Sequence, residues 1–374
     1  MNHLASPHGA PPHDAPPIRT ALLGFGLSGR VFHAPFLEAS DAFVLSVIVT
    51  GDPGRQAEAR RLHPDARILA TPAELFEAPG DIDLVVIGTP PASHFGLALA
   101  AIQAGIAVLV DKPFAVTTAE GEQLITLADE RGVPLTVFQN RRFDADYLTV
   151  KKLVDDGRLA GVTRFESRFE GFKPEGARAW KADATIAEGG GILFDLGTHV
   201  IDQALQLFGP AEVAYSEVAT RHPRSSAPDD AFLVLQHASG VTSHLWMNSL
   251  AAQPGARFRV LTPQTAYTKW GLDGQEAALK GGALPGDDGF GAEPPSTWGV
   301  LGVESANGDG PQPVAPERGD YAGFYRLLGE ALATGGPLPV DPRDALRVIG
   351  LIEEVHRTKL DRGEPGEAAE QPNA

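Results

Sequence analysis

Asp195 and His199 are the side chains in this sequence whose types and spacing point most directly to proton transfer. They stand four positions apart in a stretch whose apolar residues recur at helical spacing, which predicts a helix over residues 191–208 with both side chains on one face. A carboxylate beside an imidazole can fix the tautomer and tune the basicity of a general base, and the preceding glycines would let a ligand approach closely. An ion pair on a helix surface has the same spacing, so spacing alone leaves both interpretations open.

A lysine, Lys112, follows a predicted strand over residues 106–110 in the turn Asp111-Lys112-Pro113. At the carboxyl edge of a parallel sheet, such a lysine would lie beside the nicotinamide end of a bound dinucleotide. A lysine on the solvated surface is the alternative interpretation.

The glycine turn Gly24-Phe25-Gly26-Leu27-Ser28-Gly29 fits the pattern G-x-G-x-x-G between a predicted buried strand at 18–23 and a predicted helix at 27–39. The first glycine permits the tight turn, the second lets a pyrophosphate approach the backbone, and the third lets helix and strand pack closely. Free N–H groups at the helix start, together with the helix dipole, favour the negative charge of a diphosphate. The stretch therefore predicts a dinucleotide site.

The residues after the second predicted strand, at 43–49, bear on the choice of cofactor. An acidic residue there would hold the ribose 2′-hydroxyl of NAD, whereas a small polar residue with a nearby arginine admits the 2′-phosphate of NADP. Asp52 could be the ribose ligand, but Asp52 followed by Pro53 is also the signature of a helix N-cap. If Asp52 is only a cap, Thr50 and Arg55 favour NADP, which is the cofactor we expect, with NAD as the alternative.

The elements around these motifs alternate between strand and helix up to residue 138, which predicts a doubly wound parallel sheet. Further strands are expected at 66–69, 83–88, 106–110 and 134–138, and further helices near 53–61, 73–77, 93–104 and 117–131. Thr89 and Pro90 end the fourth strand at the edge where ligands bind in such sheets. Ser93 is the expected N-cap of the next helix, and His94 in its first turn either lies near the cofactor or is structural.

The second half of the chain changes character. After a helix at 144–156, strands are expected at 161–172, 212–221, 231–237, 241–249, 257–261 and 266–270, a pattern typical of a large, mainly antiparallel sheet with one open face. Residues 271–318 are rich in Gly, Pro and Asp and are expected to form a long loop before two closing helices at 321–333 and 342–359. We therefore expect a disordered extension at 1–17, a Rossmann domain at 18–140, a second α/β domain at 141–360 and a polar tail at 361–374.

Composition argues against several classes of function. A net charge of −17, from 31 basic and 48 acidic residues, speaks against nucleic acid or an anionic membrane as a partner. The absence of cysteine excludes disulfides and thiolate chemistry. No apolar run approaches the ~20 residues of a membrane helix, and residues 1–17 have no apolar core for a signal peptide, so a cytoplasmic location is expected.

The motifs occur in an order that carries a family resemblance: the glycine turn, Val31-Phe32-His33-Ala34-Pro35-Phe36, Asp111-Lys112-Pro113-Phe114, Phe138-Gln139-Asn140-Arg141-Arg142 and Asp195-Leu196-Gly197-Thr198-His199. In this combination the chain resembles the Gfo/Idh/MocA oxidoreductases, and within them the NADP-dependent scyllo-inositol dehydrogenase subgroup, over about residues 18–360. The resemblance implies a Rossmann domain and a substrate-binding α/β domain whose open sheet assembles homodimers or homotetramers. It also implies hydride transfer between NAD(P) and a hydroxyl or keto carbon of a polyol or sugar.

The resemblance also assigns roles. Lys112 matches the lysine of the family's Glu-Lys-Pro turn, although Asp111 departs from the usual glutamate, and Asp195 and His199 match its Asp-x-x-x-His pair. His199 would take the hydroxyl proton as general base, Lys112 would stabilise charge on the oxygen, and Asp195 would orient the substrate or the imidazole. No metal is expected. The residues expected to bind the cofactor are Gly24, Gly26, Leu27, Gly29, Thr50, Arg55, Thr89, Pro90, His94, Asp111, Lys112 and Asn140.

Two other functions are compatible with the same fold. A protein that only senses a dinucleotide would not need Lys112, Asp195 and His199 together, so their joint presence argues against that role. An NAD-assisted glycoside hydrolase would retain its cofactor through turnover. The residues that select the sugar are expected on loops such as 172–187 and on the sheet face, so the motifs do not name the sugar.

Overall fold

The computed structural model describes residues 16–176, 183–304 and 310–361 of the chain. The extension expected at 1–17 and the tail expected at 361–374 lie almost wholly outside these residues, as does part of the loop at 172–187. Within them, no helix combines the length and the apolar composition needed to cross a membrane.

The first sheet has six parallel strands, as the strand and helix alternation predicts. The strands are β1 (Ile18–Leu23), β2 (Phe43–Val49), β3 (Arg67–Leu69), β4 (Leu84–Ile87), β5 (Ala107–Asp111) and β6 (Leu135–Phe138). Their order is β3-β2-β1-β4-β5-β6, that of a Rossmann fold, and every pairing is parallel. All four residues of β4 are buried, as expected for a strand covered by helices on both faces.

Five helices connect these strands: α1 (Ala34–Glu38), α2 (Pro53–Leu62), α3 (Pro72–Glu77), α4 (His94–Gln103) and α5 (Thr118–Arg131). Thr71 and Thr117 begin α3 and α5 with capping boxes, in which the threonine hydroxyl and a glutamate satisfy each other's backbone N–H groups. Ser93 occupies the N-cap position of α4, as expected, but without the side-chain capping bond. Its hydroxyl binds Pro90 O at 2.7 Å and makes no capping bond to α4, because a 3₁₀ turn at Pro91–Ser93 intervenes.

The second sheet has eight strands. They are β7 (Arg164–Glu170), β8 (Ala211–Ala219), β9 (Asp230–His237), β10 (Thr242–Asn248), β11 (Phe258–Leu261), β12 (Ala266–Lys269), β13 (Gly299–Gly302) and β14 (Gln312–Val314). The order is β14-β13-β12-β11-β7-β10-β9-β8, and all pairs are antiparallel except β7 with β10. The fold is therefore α/β, with a Rossmann sheet and a separate, mainly antiparallel sheet, as predicted.

Five further helices complete the fold: α6 (Ala145–Asp155), α7 (Thr198–Phe208), α8 (Gln275–Lys280), α9 (Tyr321–Thr334) and α10 (Pro342–Asp361). Helices α6, α7 and α10 cover one face of the second sheet, whereas the buried side chains of α8 and α9 pack in the core of the first sheet. The apolar residues of α6, α7 and α10 pack with the buried side chains of β7 to β12 in one core. The other face carries half-buried aromatic side chains, among them Phe232, His244 and Trp246.

The long loop expected at 271–318 is wrong in part, since α8, β13 and β14 lie within it. The two strands are short and poor in β-branched residues, so their pairing at the edge of the second sheet decides their structure. Gly299 lies against the Tyr267 ring, where any Cβ would overlap it, and Lys269 and Glu293 form a buried ion pair of 2.9 Å. These contacts attach the segment to β12.

Two helices that were expected to be continuous begin instead with a π turn. Ser28–His33 precedes α1, and Leu193–Gly197 precedes α7. Such wide turns are rare inside helices and recur at functional sites, because they shift the register of the backbone carbonyl groups. The first includes Ser28 and Gly29 of the glycine turn and the second contains Asp195, so both include residues of the expected site.

Candidate active site

The glycine turn lies where β1 ends against β4, at the point where the strand order of the first sheet reverses. Gly24 has a φ of +94°, and a Cβ there would lie 2.7 Å from Gly88 O, so the turn requires glycine. A Cβ on Gly29 would overlap the Gly24 carbonyl oxygen. At Gly26, in contrast, the nearest protein atom to an added Cβ is Arg55 Nη1 at 3.7 Å. The turn is therefore open on the side where a diphosphate would approach, and the residues present fit a dinucleotide.

The start of α2 lies beside this turn. Asp52 Oδ1 accepts a hydrogen bond of 2.8 Å from Arg55 N, so Asp52 is the N-cap of α2. The Arg55 side chain is exposed and reaches Gly26, and no described residue forms an ion pair or hydrogen bond with its guanidinium. Thr50 is buried directly after β2. The carboxylate is thus engaged by the helix, while an arginine is left available beside the turn.

The ends of β4 and β5 are braced by His94, which is 1% exposed. Its two ring nitrogens each lie 2.8 Å from a backbone carbonyl oxygen, Thr89 O on one side and Pro113 O on the other. Of the two roles expected for His94, these contacts support the structural one. Pro90 is exposed at the rim beside Thr89.

Two further expected cofactor residues are placed by turns of the backbone. Leu27, with helical φ and ψ, leads from the glycine turn into the first π turn. Asn140 is buried in the 3₁₀ turn Asn140–Phe143 that follows β6. Both lie near the carboxyl edge of the first sheet, where the ligands of such folds bind.

Asp111 ends β5 and is held from two sides. The Ser28 hydroxyl donates a hydrogen bond to Asp111 Oδ2, and Lys112 N donates one of 2.8 Å to Oδ1. Burial acts to raise the pKa of Asp111, but His33, Ser28 and Lys112 together keep this pKa below its ordinary value. Asp111 is therefore an ionised carboxylate beside the glycine turn. The next peptide bond along the chain, from Lys112 to Pro113, is cis.

Lys112 joins the two halves of the chain. Its Nζ donates a hydrogen bond of 2.7 Å to Asp195 O and lies 3.3 Å from Asp195 Oδ1. The side chains of Lys112 and Asp195 are 20% and 36% exposed, so a small molecule could reach both from solvent. The π turn that contains Asp195 presents this carbonyl oxygen to the lysine.

His199 lies in the first turn of α7 and is only 4% exposed, so the surface ion pair considered from the sequence does not describe it. Its Nδ1 is buried and has no hydrogen-bond partner among the described residues. Burial lowers the pKa of His199 well below its ordinary value. The positive charges of Lys112 and Arg141 lower this pKa further, and the carboxylate of Asp195 opposes them. The imidazole is therefore neutral at neutral pH and able to accept a proton.

Three side chains near His199 were not identified from the sequence. Phe169 of β7 stacks on the imidazole with ring centroids 6.2 Å apart, and the guanidinium carbons of Arg141 and Arg257 lie 5.2 Å and 5.7 Å from the Phe169 centroid. Arg141 belongs to the motif at residues 138–142, and this was the only feature of the sequence that could have pointed to one of the three. Nothing local in the sequence indicates that Phe169 or Arg257 would meet α7.

Arg257 is the centre of a buried network. Its guanidinium donates to Asp146 Oδ2 at 3.1 Å, to Ser167 Oγ at 2.7 Å and to Gln203 Oε1 at 2.8 Å. Gln203 Nε2 in turn donates to Arg141 O at 2.7 Å. This network fixes α6, α7 and β7 relative to one another behind His199.

The geometry defines a class of protein: a Rossmann dinucleotide site whose lysine meets a carboxylate one helical turn from a neutral, buried histidine, on a helix that packs against a second sheet. The chain belongs to the GFO/IDH/MocA oxidoreductase family. The family model of NAD-binding Rossmann oxidoreductases matches residues 18–139, and the model of the GFO/IDH/MocA C-terminal domain matches residues 147–266. It is an NAD(P)-dependent dehydrogenase that acts on CH–OH groups.

Named relatives agree with this assignment. The chain is 35% identical to scyllo-inositol 2-dehydrogenase (NADP(+)) IolW of Bacillus subtilis, over 92% of this chain and 94% of that protein. It is 27% identical to the D-apiose dehydrogenase of Paraburkholderia graminis, over 90% of this chain and 86% of that protein. The solved structure of the oxidoreductase yvaA from Bacillus subtilis superposes with a TM-score of 0.86 at 33% identity, covering 92% of this chain and 97% of that chain.

Proposed function

We propose that this chain is an NADP-preferring dehydrogenase that interconverts a hydroxyl and a keto carbon of an inositol-like polyol or a sugar. The observation that carries the proposal is the contact between Lys112 and Asp195, which belong to different halves of the chain. Lys112 Nζ lies 2.7 Å from Asp195 O and 3.3 Å from Asp195 Oδ1, and the buried, neutral His199 is one helical turn from Asp195. Proton transfer and stabilisation of charge on one oxygen need these groups together.

Each side chain has a role in this proposal. His199 takes the hydroxyl proton as general base, for which its neutral form is required. Lys112 donates a hydrogen bond to the same oxygen as negative charge develops there, and Asp195 holds the ammonium group in place. NAD(P), when bound, supplies the hydride acceptor at the carboxyl edge of the first sheet.

Two observations support NADP over NAD. Asp52 Oδ1 is engaged as the N-cap of α2, so capping alone accounts for an acidic residue at this position. Arg55 extends to the glycine turn without a protein partner among the described residues, so its guanidinium is available to bind a 2′-phosphate. The name of the Bacillus subtilis relative states the same cofactor for that protein.

The charges of the site support a neutral substrate. Asp195 faces Lys112, Asp146 pairs with Arg257 at 3.1 Å, and Asp144 and Glu276 pair with Arg141. Since each cation is matched by a carboxylate, little positive charge remains to attract an anion. A polyol or sugar, which offers many hydroxyl groups and no charge, suits such a site.

We also propose assembly into a homodimer or homotetramer through the open face of the second sheet. Phe232 and Trp246 pack there with centroids 4.8 Å apart, and the Arg168 guanidinium lies 3.7 Å over the Trp246 ring. Aromatic side chains and arginine are enriched in protein interfaces. Light scattering of the purified protein, with Trp246→Glu as the disruptive variant, tests this assembly.

A panel of polyols and sugars, including scyllo-inositol, D-apiose and matched glycosides, incubated with NADP⁺ or NAD⁺, tests the activity. Formation of the reduced cofactor with a free polyol or sugar, faster with NADP⁺, is the expected result. Glycoside cleavage without net reduction of the cofactor would favour the hydrolase, and tight binding of NADPH without any turnover would favour a sensor.

A further inference from the structure

A chain of buried polar groups runs behind the cofactor edge of the first sheet and has no role in the mechanism above. Tyr325 of α9 donates a hydrogen bond of 2.9 Å from its hydroxyl to Phe32 O, and its oxygen lies 2.7 Å from His33 Nδ1. His33 is fully buried, and its Nε2 lies 3.8 Å from Asp111 Oδ2. Asp111 Oδ2 accepts the hydrogen bond of the Ser28 hydroxyl.

The Asp111 carboxylate is the branch point of this chain. One oxygen faces Ser28, which belongs to the glycine turn, and the other accepts the backbone N–H of Lys112 at 2.8 Å. One carboxylate thus connects the turn that would hold the diphosphate with the residue that would contact the reacting oxygen. His33 lies behind the carboxylate, and Tyr325 holds the His33 ring through its Nδ1 atom.

We propose that Asp111 and Ser28 are positioning residues that couple the glycine turn to Lys112. The inference rests on the proposed function. The Ser28 hydrogen bond fixes the carboxylate, and the carboxylate fixes the Lys112 backbone from which the ammonium group reaches Asp195. Loss of either Ser28 or Asp111 breaks the same hydrogen bond. Each loss should therefore weaken cofactor binding and displace the Lys112 ammonium group.

The first measurement is the dissociation constant of NADPH, by fluorescence titration, for the wild type, Ser28→Ala, Asp111→Ala and the double variant. Each single substitution should weaken NADPH binding about tenfold, as the loss of one hydrogen bond to a charged group does. The double variant should also lose about tenfold, because one shared link cannot be broken twice. A loss of about a hundredfold in the double variant, or none in the single ones, contradicts the coupling.

The second measurement separates positioning from mere structure. With saturating NADP⁺ and the polyol found in the panel, Asp111→Ala should lower kcat about tenfold and change the KM for the polyol by less than about threefold. Asp111→Asn should recover most of kcat, because its amide oxygen can still accept the Lys112 N–H and its NH₂ group can donate to Ser28. Failure of Asp111→Asn to recover any activity contradicts a positioning role.

Matched controls come from the same sheet. Asp83→Ala removes a carboxylate that binds Arg19 N and the Arg19 side chain at the opposite end of β4, and Ser46→Ala removes a hydroxyl that binds Val44 O within β2. Both should leave NADPH binding and kcat unchanged. If Asp111→Ala does not fold, Ser28→Ala and Asp111→Asn carry the test, since each preserves most of the local shape.

The outcomes distinguish this inference from the function on which it rests. A wild-type chain that oxidises no member of the panel contradicts the proposed function. A fully active wild type with Ser28→Ala and Asp111→Ala variants that bind NADPH normally contradicts the inference alone.

Discussion

His199 and Gln203 are four residues apart on α7 and almost equally buried, yet they belong to polar clusters of opposite character. Gln203 shares its amide between Arg257 and Arg141 O, and Arg257 finds a carboxylate, a hydroxyl and an amide oxygen as partners. His199 Nδ1 has no hydrogen-bond partner in the described part of the chain, and its neighbours Lys112 and Asp195 are partly exposed.

The difference teaches how to separate structural from functional polar groups in this protein. A buried polar atom without a partner costs about 1–3 kcal/mol, and next to partly exposed charged groups it marks a place where a ligand can provide the missing contact. The Gln203 cluster is complete within the protein and serves to fix the elements around the site. The His199 cluster is incomplete, as is expected of a group that must accept a proton from a substrate.

The same contrast separates Asp52 from Arg55 at the start of α2. Asp52 Oδ1 accepts the Arg55 N–H of its own helix, and the Arg55 guanidinium extends to the glycine turn with no described partner. This contrast supports the proposal that Arg55, rather than Asp52, contacts the cofactor.

The largest effect is expected from His199→Ala. Loss of the general base should lower kcat by roughly 10²- to 10⁴-fold and leave NADPH affinity and the melting temperature nearly unchanged. Steady-state kinetics and calorimetry measure the three quantities. His237→Ala is the matched control, because His237 is equally buried but has both ring nitrogens bonded, to Gly209 O and Ser243 Oγ at 2.8 Å. The His237→Ala variant should lose stability and keep kcat. A His237→Ala variant with lowered kcat and unchanged stability would contradict the use of hydrogen-bond satisfaction to separate structural from functional polar groups.

Arg257→Met should have the next largest effect, on stability. It leaves Asp146 as an unpaired buried carboxylate, so the free energy of unfolding should fall by about 3–5 kcal/mol in denaturant titrations. The double variant Arg257→Met with Asp146→Leu should be more stable than Arg257→Met alone, because it removes the unpaired charge. Equal destabilisation of the two variants would show that the ion pair is not the cause.

Arg55→Ala should act on one cofactor only. The dissociation constant for NADP⁺ should rise about tenfold or more, since a charge-assisted contact to the 2′-phosphate is lost, while that for NAD⁺ changes by less than about twofold. Asp52→Ala, the control, should cost about 1 kcal/mol of stability through the lost N-cap and leave the ratio of the two constants unchanged. A wild type that already prefers NAD⁺ would reverse both assignments.

The smallest change in activity is expected from pH: kcat/KM of the wild type should be nearly constant near neutral pH. Because the pKa of His199 lies well below 6.5, the base is neutral at pH 7.5 and still neutral at pH 6.5, so kcat/KM should change by less than about twofold between them. Activity should fall only at lower pH. Lys112→Met removes a positive charge that lowers this pKa, so the residual activity of the variant should begin to fall at a higher pH than in the wild type. An acid limb centred at 6.5 or above in the wild type would contradict the buried, neutral state.

Folding stability should respond to the same shift. The unfolded chain takes up a proton on His199 as the pH falls through about 6.5, whereas the folded chain does not, so the stabilisation from this group is complete above 6.5 and is lost progressively below it. His199→Ala should lessen the loss of melting temperature between pH 7 and pH 5.5, and an unchanged loss would show that His199 is not its source.

Much of the fold was predictable because it depends on local pattern. The apolar runs of β1, β4 and β5, the glycine turn and the alternation of β7, β9 and β10 are properties of short stretches of sequence. The exceptions are elements without such a pattern. β13 and β14 were missed because they are short, poor in β-branched residues and formed only through pairing at the edge of the second sheet. The π turns were missed because their wider hydrogen-bond pattern leaves no periodic signal.

The sequence by itself determined which residues could do the chemistry: the glycine turn, Lys112, Asp195 and His199 all stand in recognisable motifs. Only the tertiary structure decided their states. It showed that Asp52 caps a helix, that His94 braces two strand ends, and that Arg141, Phe169 and Arg257 surround the imidazole. The reason is physical, because burial, charge and hydrogen-bond satisfaction at one atom depend on groups that are distant in sequence and meet only when the chain folds.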